Sequence, residues 1–174
     1  MKNNKLFKIL FVLSVVILTA LGAYAFSFRN MTLDFISISD THISVDRADT
    51  SYKALSSSSK LLKDAVNQIN DIDGIDFVLF TGDLVDSAKY QNFDEYYSIL
   101  EKLKYPSLNA FGNHDFYGMS KSEVLEIVKG YNRNYIFNNT YYAISPKTDY
   151  RIIILDSTGE NNDSSRGVLS KEQL

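Results

Sequence analysis

The strongest constraint on the fold is residues 75–81, IDFVLFT, a nearly continuous apolar run. Runs of this kind are typical of a strand that is buried on both faces, as in a parallel sheet covered by helices. Two further strand candidates, residues 33–39 and 105–111, precede and follow it in the chain. The sequence therefore predicts three strands, and the second of them is buried on both faces.

Helical patterns separate the three strands. Residues 57–70 and 93–103 each place their apolar side chains at helical spacing on one face. A third helix is predicted from Ser120, because Ser120 and Glu123 have the spacing of a capping box. Strand and helix thus alternate, which predicts an α/β fold with a parallel β-α-β-α-β core and right-handed crossovers.

The remainder of the chain carries shorter signals. Residues 141–145 and 150–155 flank the turn-forming residues 146–149, which indicates a β-hairpin. Residues 161–165, NNDSS, read as a polar loop. Residues 170–173, SKEQ, form a second capping-box pattern at the last residues of the sequence. We interpret this pattern as the start of a further helix in a longer protein; a frayed tail is the alternative.

The N-terminus has the features of an export signal. Lys2, Lys5 and Lys8 precede residues 9–26, which contain no charged side chain. Residues 23–25, AYA, fit a signal-peptidase site, but the run is also long enough to span a bilayer. We therefore leave open whether the segment is a cleaved signal peptide or a retained membrane anchor.

These features predict the location and the domain organisation. Lysines before the apolar run, against a lone Arg29 after it, place the N-terminus inside and the rest of the chain outside the cytoplasm. Residues 1–26 are expected to be the signal peptide or anchor, with any membrane contact through residues 6–26. Residues 30–174 are expected to form one exported domain, extracellular or membrane-anchored.

Composition excludes some classes of function. The net charge of −3 and the pI near 5.4 argue against a nucleic-acid-binding surface, which is normally basic. The sequence contains no cysteine, so neither a disulfide nor a thiolate metal site is possible. A metal site in this chain would have to use oxygen and imidazole ligands.

Polar blocks follow all three predicted parallel strands. The first strand runs into DTH at residues 40–42, the second into GDLVD at 82–86, and the third into GNHD at 112–115. Ligands of open α/β sheets bind beyond the carboxyl ends of the strands, so these blocks should meet at one edge. The glycine that opens the second and third blocks allows a sharp turn and close backbone approach.

The residue types in these blocks suit metal-assisted chemistry. Carboxylate, imidazole and amide ligands fit Mn, Fe or Zn. Two such ions about 3.5–4 Å apart clamp a phosphate and activate a shared water, and a nearby histidine protonates the leaving group. Each block alone also has a local explanation as a turn or a helix cap, and this explanation is the stronger one for DTH and GDLVD. All three in one order, each after an apolar strand, favour a shared site.

The three blocks resemble the calcineurin-like metallophosphoesterase family, whose signature is D-x-H, G-D-x-x-D and G-N-H-D/E, followed by a lone histidine and G-H-x-H. The resemblance covers residues 33–156 and implies the family's β-sandwich flanked by helices, with the parallel core described above as its first part. His42 and His114 are the only histidines in the sequence, so the later histidine blocks are absent from it. The domain is therefore expected to be an N-terminal part, incomplete at its C-terminus.

The resemblance also implies a role for each matching residue. Asp40 and His42 would bind the first metal ion, Asp83 would bridge both ions, and Asn113 would bind the second ion and a phosphate oxygen. His114 would be the general acid. The remaining positions would be supporting ones: Asp86 to orient His114 through a hydrogen bond, Asp115 to support the loop, and Asp156 as a structural residue.

The resulting prediction is an exported or membrane-anchored hydrolase of phosphate esters. It would use two divalent ions (Mn, Fe or Zn) and a metal-bound hydroxide as nucleophile, with the present segment inactive alone. The alternative is a non-catalytic fragment or degenerate relative that acts as a membrane-tethered binding protein. The sequence does not identify the ester or the oligomeric state.

Overall fold

A computed structural model describes residues 2–131, 138–159 and 167–174. The polar loop predicted at residues 161–165 lies outside these ranges. The helices and strands occur in the order α1 (Lys2–Met31), β1 (Phe35–Ile38), α2 (Ser58–Asn70), β2 (Phe77–Thr81), α3 (Tyr90–Leu100), β3 (Ser107–Ala110), α4 (Lys121–Tyr131), β4 (Tyr142–Ile144) and β5 (Ile152–Ile154). Short 3₁₀ helices lie at Leu55–Ser57, Asn113–Phe116 and Lys171–Gln173.

The first three strands form one parallel sheet in the order β1-β2-β3. Ile36 lies opposite Val78 in the first pair, and Leu79 lies opposite Leu108 in the second. The central strand β2 is buried at Val78 and Phe80, whose side chains point to the same face, and also at Phe77 on the other. The predicted α/β class and the parallel β-α-β-α-β order are therefore confirmed.

The helices cover this sheet with their apolar faces. Leu62, Val66 and Ile69 of α2 and Phe93 and Tyr96 of α3 belong to the same buried cluster as β2. Helix α3 starts and ends three residues earlier than the apolar spacing predicted. The backbone sets this end, because the N–H groups of residues 102 and 103 bond to carbonyls three positions earlier, in tighter turns that the side-chain pattern does not report.

The capping box predicted at the start of α4 is formed. The Glu123 carboxylate accepts a hydrogen bond from the Ser120 backbone N–H at 2.8 Å, and the Ser120 hydroxyl accepts one from the Glu123 N–H at 3.3 Å. These two bonds satisfy backbone donors that a helix N-terminus leaves without intrahelical partners.

Strands β4 and β5 form the predicted antiparallel hairpin, with Ala143 opposite Ile153. Tyr142 in the hairpin contacts the parallel sheet directly. The Tyr142 hydroxyl donates to the Asn109 carbonyl at 2.9 Å and accepts from the Asn109 N–H at 3.0 Å. Tyr142 therefore pairs with the backbone of β3 much as a neighbouring strand would.

Asp156 follows β5, and its buried carboxylate connects neighbouring segments of the chain. Its carboxylate accepts hydrogen bonds from Lys121 Nζ at 2.7 Å, from the Thr158 N–H at 2.8 Å and from the Thr140 hydroxyl. Gln173 pairs with the Asp156 backbone at both its N–H and its carbonyl. The Asp156 network thus joins α4, β5 and residues near Leu174.

The second capping box, predicted at residues 170–173, is not formed. Ser170 makes no side-chain capping bond, and residues Lys171–Gln173 form a 3₁₀ turn. The reason is that Gln173 directs its amide towards the Asp156 backbone instead. A long-range contact therefore replaces the local one that the sequence pattern predicted.

Helix α1 contains the apolar N-terminal run. Its segment Phe7–Ser27 has a mean hydropathy of 2.5 and is long enough to cross a membrane. None of this segment is buried against the remainder of the described chain.

Candidate metal centre

The loops after β1 and β2 run side by side beyond the ends of the strands. The Asp40 N–H donates to the Gly82 carbonyl at 3.1 Å, and the His42 N–H donates to the Asp83 carbonyl at 2.9 Å. This pairing continues the parallel sheet past its last regular residues. It brings the DTH and GDLVD blocks into contact at the edge where the sequence predicted a site.

Three residues at this edge have left-handed backbone. Asp40, His42 and Asp83 have φ angles of 57°, 42° and 50°, and no other non-glycine residue in the described ranges has a positive φ. Such conformations cost about 1–3 kcal/mol each and concentrate at functional sites. The strained positions coincide with three of the four residues that the sequence predicted as metal ligands.

The loop after β3 approaches so closely that it requires glycine. A Cβ atom on Gly112 would lie 2.2 Å from Asp83 Oδ1 and 2.5 Å from the Asp83 backbone nitrogen. Gly82 faces Gly112 and has a φ of 109°, which strongly favours glycine. On the same loop, the His114 N–H donates to Asp83 Oδ1 at 3.1 Å and fixes that carboxylate.

Asp40, His42 and Asp83 form a cluster that fits a divalent cation. Their ligand atoms all lie within 4.8 Å of one another. His42 Nε2 is 3.7 Å from Asp40 Oδ1 and 3.6 Å from Asp83 Oδ2. Burial first, and then the charge of Lys53, lowers the pKa of His42, which favours the neutral imidazole that binds metals. Two carboxylates and one imidazole suit Mn, Fe or Zn.

Asn113 lies in the lining of a cleft at the same edge. This polar cleft has a volume of about 220 Å³ and is lined by Asp40, Asp83 and Asn113 among other residues. Ser157 and Thr158, which follow β5, close its far side. The structure therefore brings the predicted amide ligand to the same cleft as both carboxylates.

His114 is held by the backbone of Asp86. Its Nδ1 lies 2.8 Å from the Asp86 carbonyl oxygen, whereas the nearest Asp86 carboxylate oxygen is 3.7 Å away. A carbonyl only accepts hydrogen bonds, so His114 Nδ1 carries the proton. The hydrogen bond expected between His114 and Asp86 is thus accepted by the Asp86 main-chain carbonyl. The His42 and His114 rings meet edge to face, with centroids 4.7 Å apart.

The Asp86 carboxylate instead binds two cationic side chains that the sequence did not reveal. Asp86 is 1% exposed, and it accepts from Lys53 Nζ at 3.1 Å and from the Arg47 guanidinium. Burial acts to raise the pKa of Asp86, but these cations outweigh it and the pKa is lowered. Arg47 and Lys53 lie in an irregular segment, where only their charge near the DTH block could have identified them.

Asp115 connects the second and third loops, as expected for a supporting residue. Its carboxylate accepts from the Gly112 N–H at 2.8 Å and from the Val85 N–H at 2.9 Å. Complete burial raises the pKa of Asp115 to about 7. Both of its oxygens are used for backbone contacts, which leaves the cation clusters to the other residues.

Comparisons with known proteins agree with this geometry. A sequence profile described as calcineurin-like phosphoesterase matches residues 33–166. A manganese-dependent ADP-ribose/CDP-alcohol diphosphatase of Arabidopsis thaliana is 32% identical over 101 residues, which are 55% of this chain and 32% of that protein. A dimetal phosphatase from Danio rerio has a similar fold, with a TM-score of 0.58 at 22% identity. That alignment covers 72% of this chain and 44% of the fish protein.

The matched region is therefore less than half the length of either relative. The likeness to the fish protein concerns the fold alone at this level of identity. It gives independent support for the fold.

Proposed function

Because the chain belongs to the calcineurin-like phosphoesterase family, we propose that its polar edge contributes the catalytic centre of a metal-dependent phosphoester hydrolase. The observation that carries this proposal is the convergence of Asp40, His42 and Asp83 in strained backbone. A fold that served only stability would have no use for three left-handed residues whose ligand atoms face one point. The family and the chemistry of the donors support the same conclusion.

We assign two divalent cations to this edge. Asp40 and His42 would hold the first, Asp83 would serve both, and Asn113 would contribute to the second. Such cations neutralise the charge of a phosphate and activate water for attack on phosphorus. Manganese is supported by the oxygen-rich donor set and by the plant relative, which is named as manganese-dependent.

The remaining residues of the site act on the substrate and the leaving group. The Asn113 side-chain amide donates to a phosphate oxygen, and the imidazolium form of His114 gives its Nε2 proton to the leaving oxygen, which leaves the ring neutral with its proton on Nδ1. The Asp86 carbonyl fixes the Nδ1 proton of His114, so Nε2 is the nitrogen available for that transfer. This assignment makes Asp86 a positioning residue through its backbone.

We propose a phosphate ester or a diphosphate as the substrate. The support is the family, together with relatives that are named as a diphosphatase and a dimetal phosphatase. The sequence as a whole carries a net charge of −3, which argues against nucleic acid as the substrate.

We further propose that helix α1 directs export or anchors the domain outside the cytoplasm. Its apolar segment is preceded by lysines and is not buried against the described part of the domain. Protease protection in isolated membranes tests this orientation, because a domain on the cytoplasmic side would be digested without disrupting the membrane.

Replacing His114 by alanine tests the catalytic assignment. Turnover of an alkyl phosphate ester, whose alkoxide leaving group needs a proton, is expected to fall by about 10²–10⁴-fold because the proton donor is lost. Turnover of p-nitrophenyl phosphate, whose phenolate leaves readily, is expected to fall less. Bound manganese, measured by metal analysis of the purified protein, is expected to remain near the wild-type content. His42→Ala is the matched variant and is expected to lose the metal as well.

If His114→Ala lost bound metal and turnover to the same extent, the result would contradict a general-acid role for His114. A full-length wild-type protein that binds no manganese and turns over neither ester would contradict the hydrolase itself. That result would favour the non-catalytic, membrane-tethered binding role.

A further inference from the structure

Lys53 extends its ammonium group into the site between the two histidines. Lys53 Nζ lies 3.1 Å from Asp86 Oδ1 and 3.4 Å from both His42 Nδ1 and His114 Nε2. These three partners are also a group whose ligand atoms lie within 4.8 Å of one another. A positively charged side chain thus lies among groups that would otherwise be spaced to bind a metal ion.

The contacts of Lys53 determine where the two imidazole rings carry their protons. An ammonium group only donates hydrogen bonds, so His42 Nδ1 accepts and the neutral ring carries its proton on Nε2. His114 has the opposite arrangement, since its Nδ1 donates to the Asp86 carbonyl and its Nε2 accepts from Lys53. The two histidines are therefore in different tautomers.

This arrangement of His42 conflicts with metal binding. Its Nε2 is the atom that faces Asp40 and Asp83, and a proton there excludes a cation. When Nε2 binds a cation, the imidazole proton is on Nδ1. Two N–H donors, one from His42 and one from Lys53, would then face each other without an acceptor between them. A proton on His42 Nδ1 would instead point towards an acceptor, Asp86 Oδ1, which lies 3.6 Å away. The contact of Lys53 with His42 and a cation on His42 Nε2 are mutually exclusive.

We propose that Lys53 is a positioning residue that acts as an internal cation, holding His42, Asp86 and His114 together in the metal-free chain and releasing His42 when a divalent cation binds. Asp86 keeps a cationic partner after this release, because Arg47 binds its other oxygen. Lys53 also lines a cavity of about 500 Å³ beside the site, which gives the displaced side chain room.

The proton positions test this inference without any metal or activity. Imidazole nitrogen NMR of the metal-free protein at about pH 8, where an ordinary histidine is neutral, reads the tautomer of each ring. The chain has only two histidines, and the signals lost in His114→Ala assign both. We expect His42 to be protonated on Nε2 in the wild type and on Nδ1 in Lys53→Met.

Two further variants control this measurement. Lys63→Met removes an exposed lysine that pairs with Glu95 at 2.8 Å, and the tautomer of His42 is expected to stay as in the wild type. Lys53→Arg keeps the charge and the donors, and it covers the case in which Lys53→Met fails to fold. It is expected to retain the wild-type tautomer. A His42 ring already protonated on Nδ1 in the wild type, or unchanged in a folded Lys53→Met, would overturn the inference.

The release step rests on the proposed metal-dependent function and needs a second measurement. Titration with Mn²⁺, with free manganese followed by EPR, is expected to show about five- to tenfold tighter binding in Lys53→Met, because one competing hydrogen bond is removed. Lys63→Met should bind as the wild type does. Unchanged or weaker binding in Lys53→Met would overturn the release step. A wild type that binds no manganese would instead contradict the proposed function, and the tautomers would still decide the role of Lys53.

Discussion

Replacing Gly112 by alanine is expected to abolish tight Mn²⁺ binding and to destabilise the domain by about 3 kcal/mol, the upper range for overpacking a tight site. The added Cβ would lie 2.2 Å from Asp83 Oδ1 and 2.5 Å from the Asp83 backbone nitrogen, and no rotamer change relieves the contact with the nitrogen. The loop backbone and the Asp83 carboxylate must therefore move from the positions that form the cluster. Manganese titration and urea unfolding of the purified protein measure the two effects.

Gly130→Ala is the matched control for this substitution. Gly130 lies in α4, and no described atom outside the helix backbone lies within 4 Å of an added Cβ. Alanine is expected to leave manganese binding unchanged and to stabilise the helix by up to about 1 kcal/mol. Wild-type metal affinity in Gly112→Ala would show that Asp83 is not held where the proposed metal site needs it.

Replacing Asp156 by alanine is expected to lower the free energy of unfolding by about 3–5 kcal/mol at pH 7, because removing one partner of a buried ion pair leaves the others unsatisfied. Asp156 is 3% exposed and joins Lys121, Thr140 and Thr158. Urea unfolding measures this loss. Asp73→Ala is the matched control, since Asp73 is exposed and pairs only with Lys104 on the surface in the described contacts. A change below about 0.5 kcal/mol is expected there.

The loss of unfolding free energy in Asp156→Ala is expected to depend on pH. Burial acts to raise its pKa, but hydrogen bonds from Lys121, Thr140 and Thr158 outweigh burial and lower the pKa below its usual 3.8. A carboxyl whose pKa is lower in the folded state stabilises the fold above the unfolded pKa, and this stabilisation is lost as the pH falls through the folded pKa. The difference between wild type and Asp156→Ala should therefore shrink below about pH 4. A difference that stayed constant well below that pH would contradict the ionised network.

The sequence predicted the parallel sheet because its signal is simple. The apolar run that contains Phe77, Val78 and Phe80 reports burial on both faces, and burial of this kind needs helices on both sides. The positions of the polar blocks followed from the same fact, since parallel strands end at one edge. Asp40 and Asp83 could therefore be placed together before their distance was known.

What the sequence could not predict depends on contacts between distant loops. Lys53 meets Asp86 across 33 positions and His114 across 61, and no periodicity links an irregular segment to such partners. His114 bonds to the Asp86 carbonyl oxygen and not to the Asp86 carboxylate because the carbonyl oxygen is about one ångström closer to Nδ1. The residue types alone do not determine such a small difference in distance. Gln173 shows the same limit, because a distant backbone competes with its local cap.

The left-handed backbone at Asp40, His42 and Asp83 has a consequence for protein design. Aspartate and histidine are among the few non-glycine residues that are enriched at positive φ. The residue types that bind a cation here are thus also the ones that tolerate the turn needed to present them. A designer who transfers this centre to another parallel sheet would have to copy the backbone torsions together with the side chains. Valine or isoleucine at these positions would fail for conformational reasons before coordination chemistry was tested.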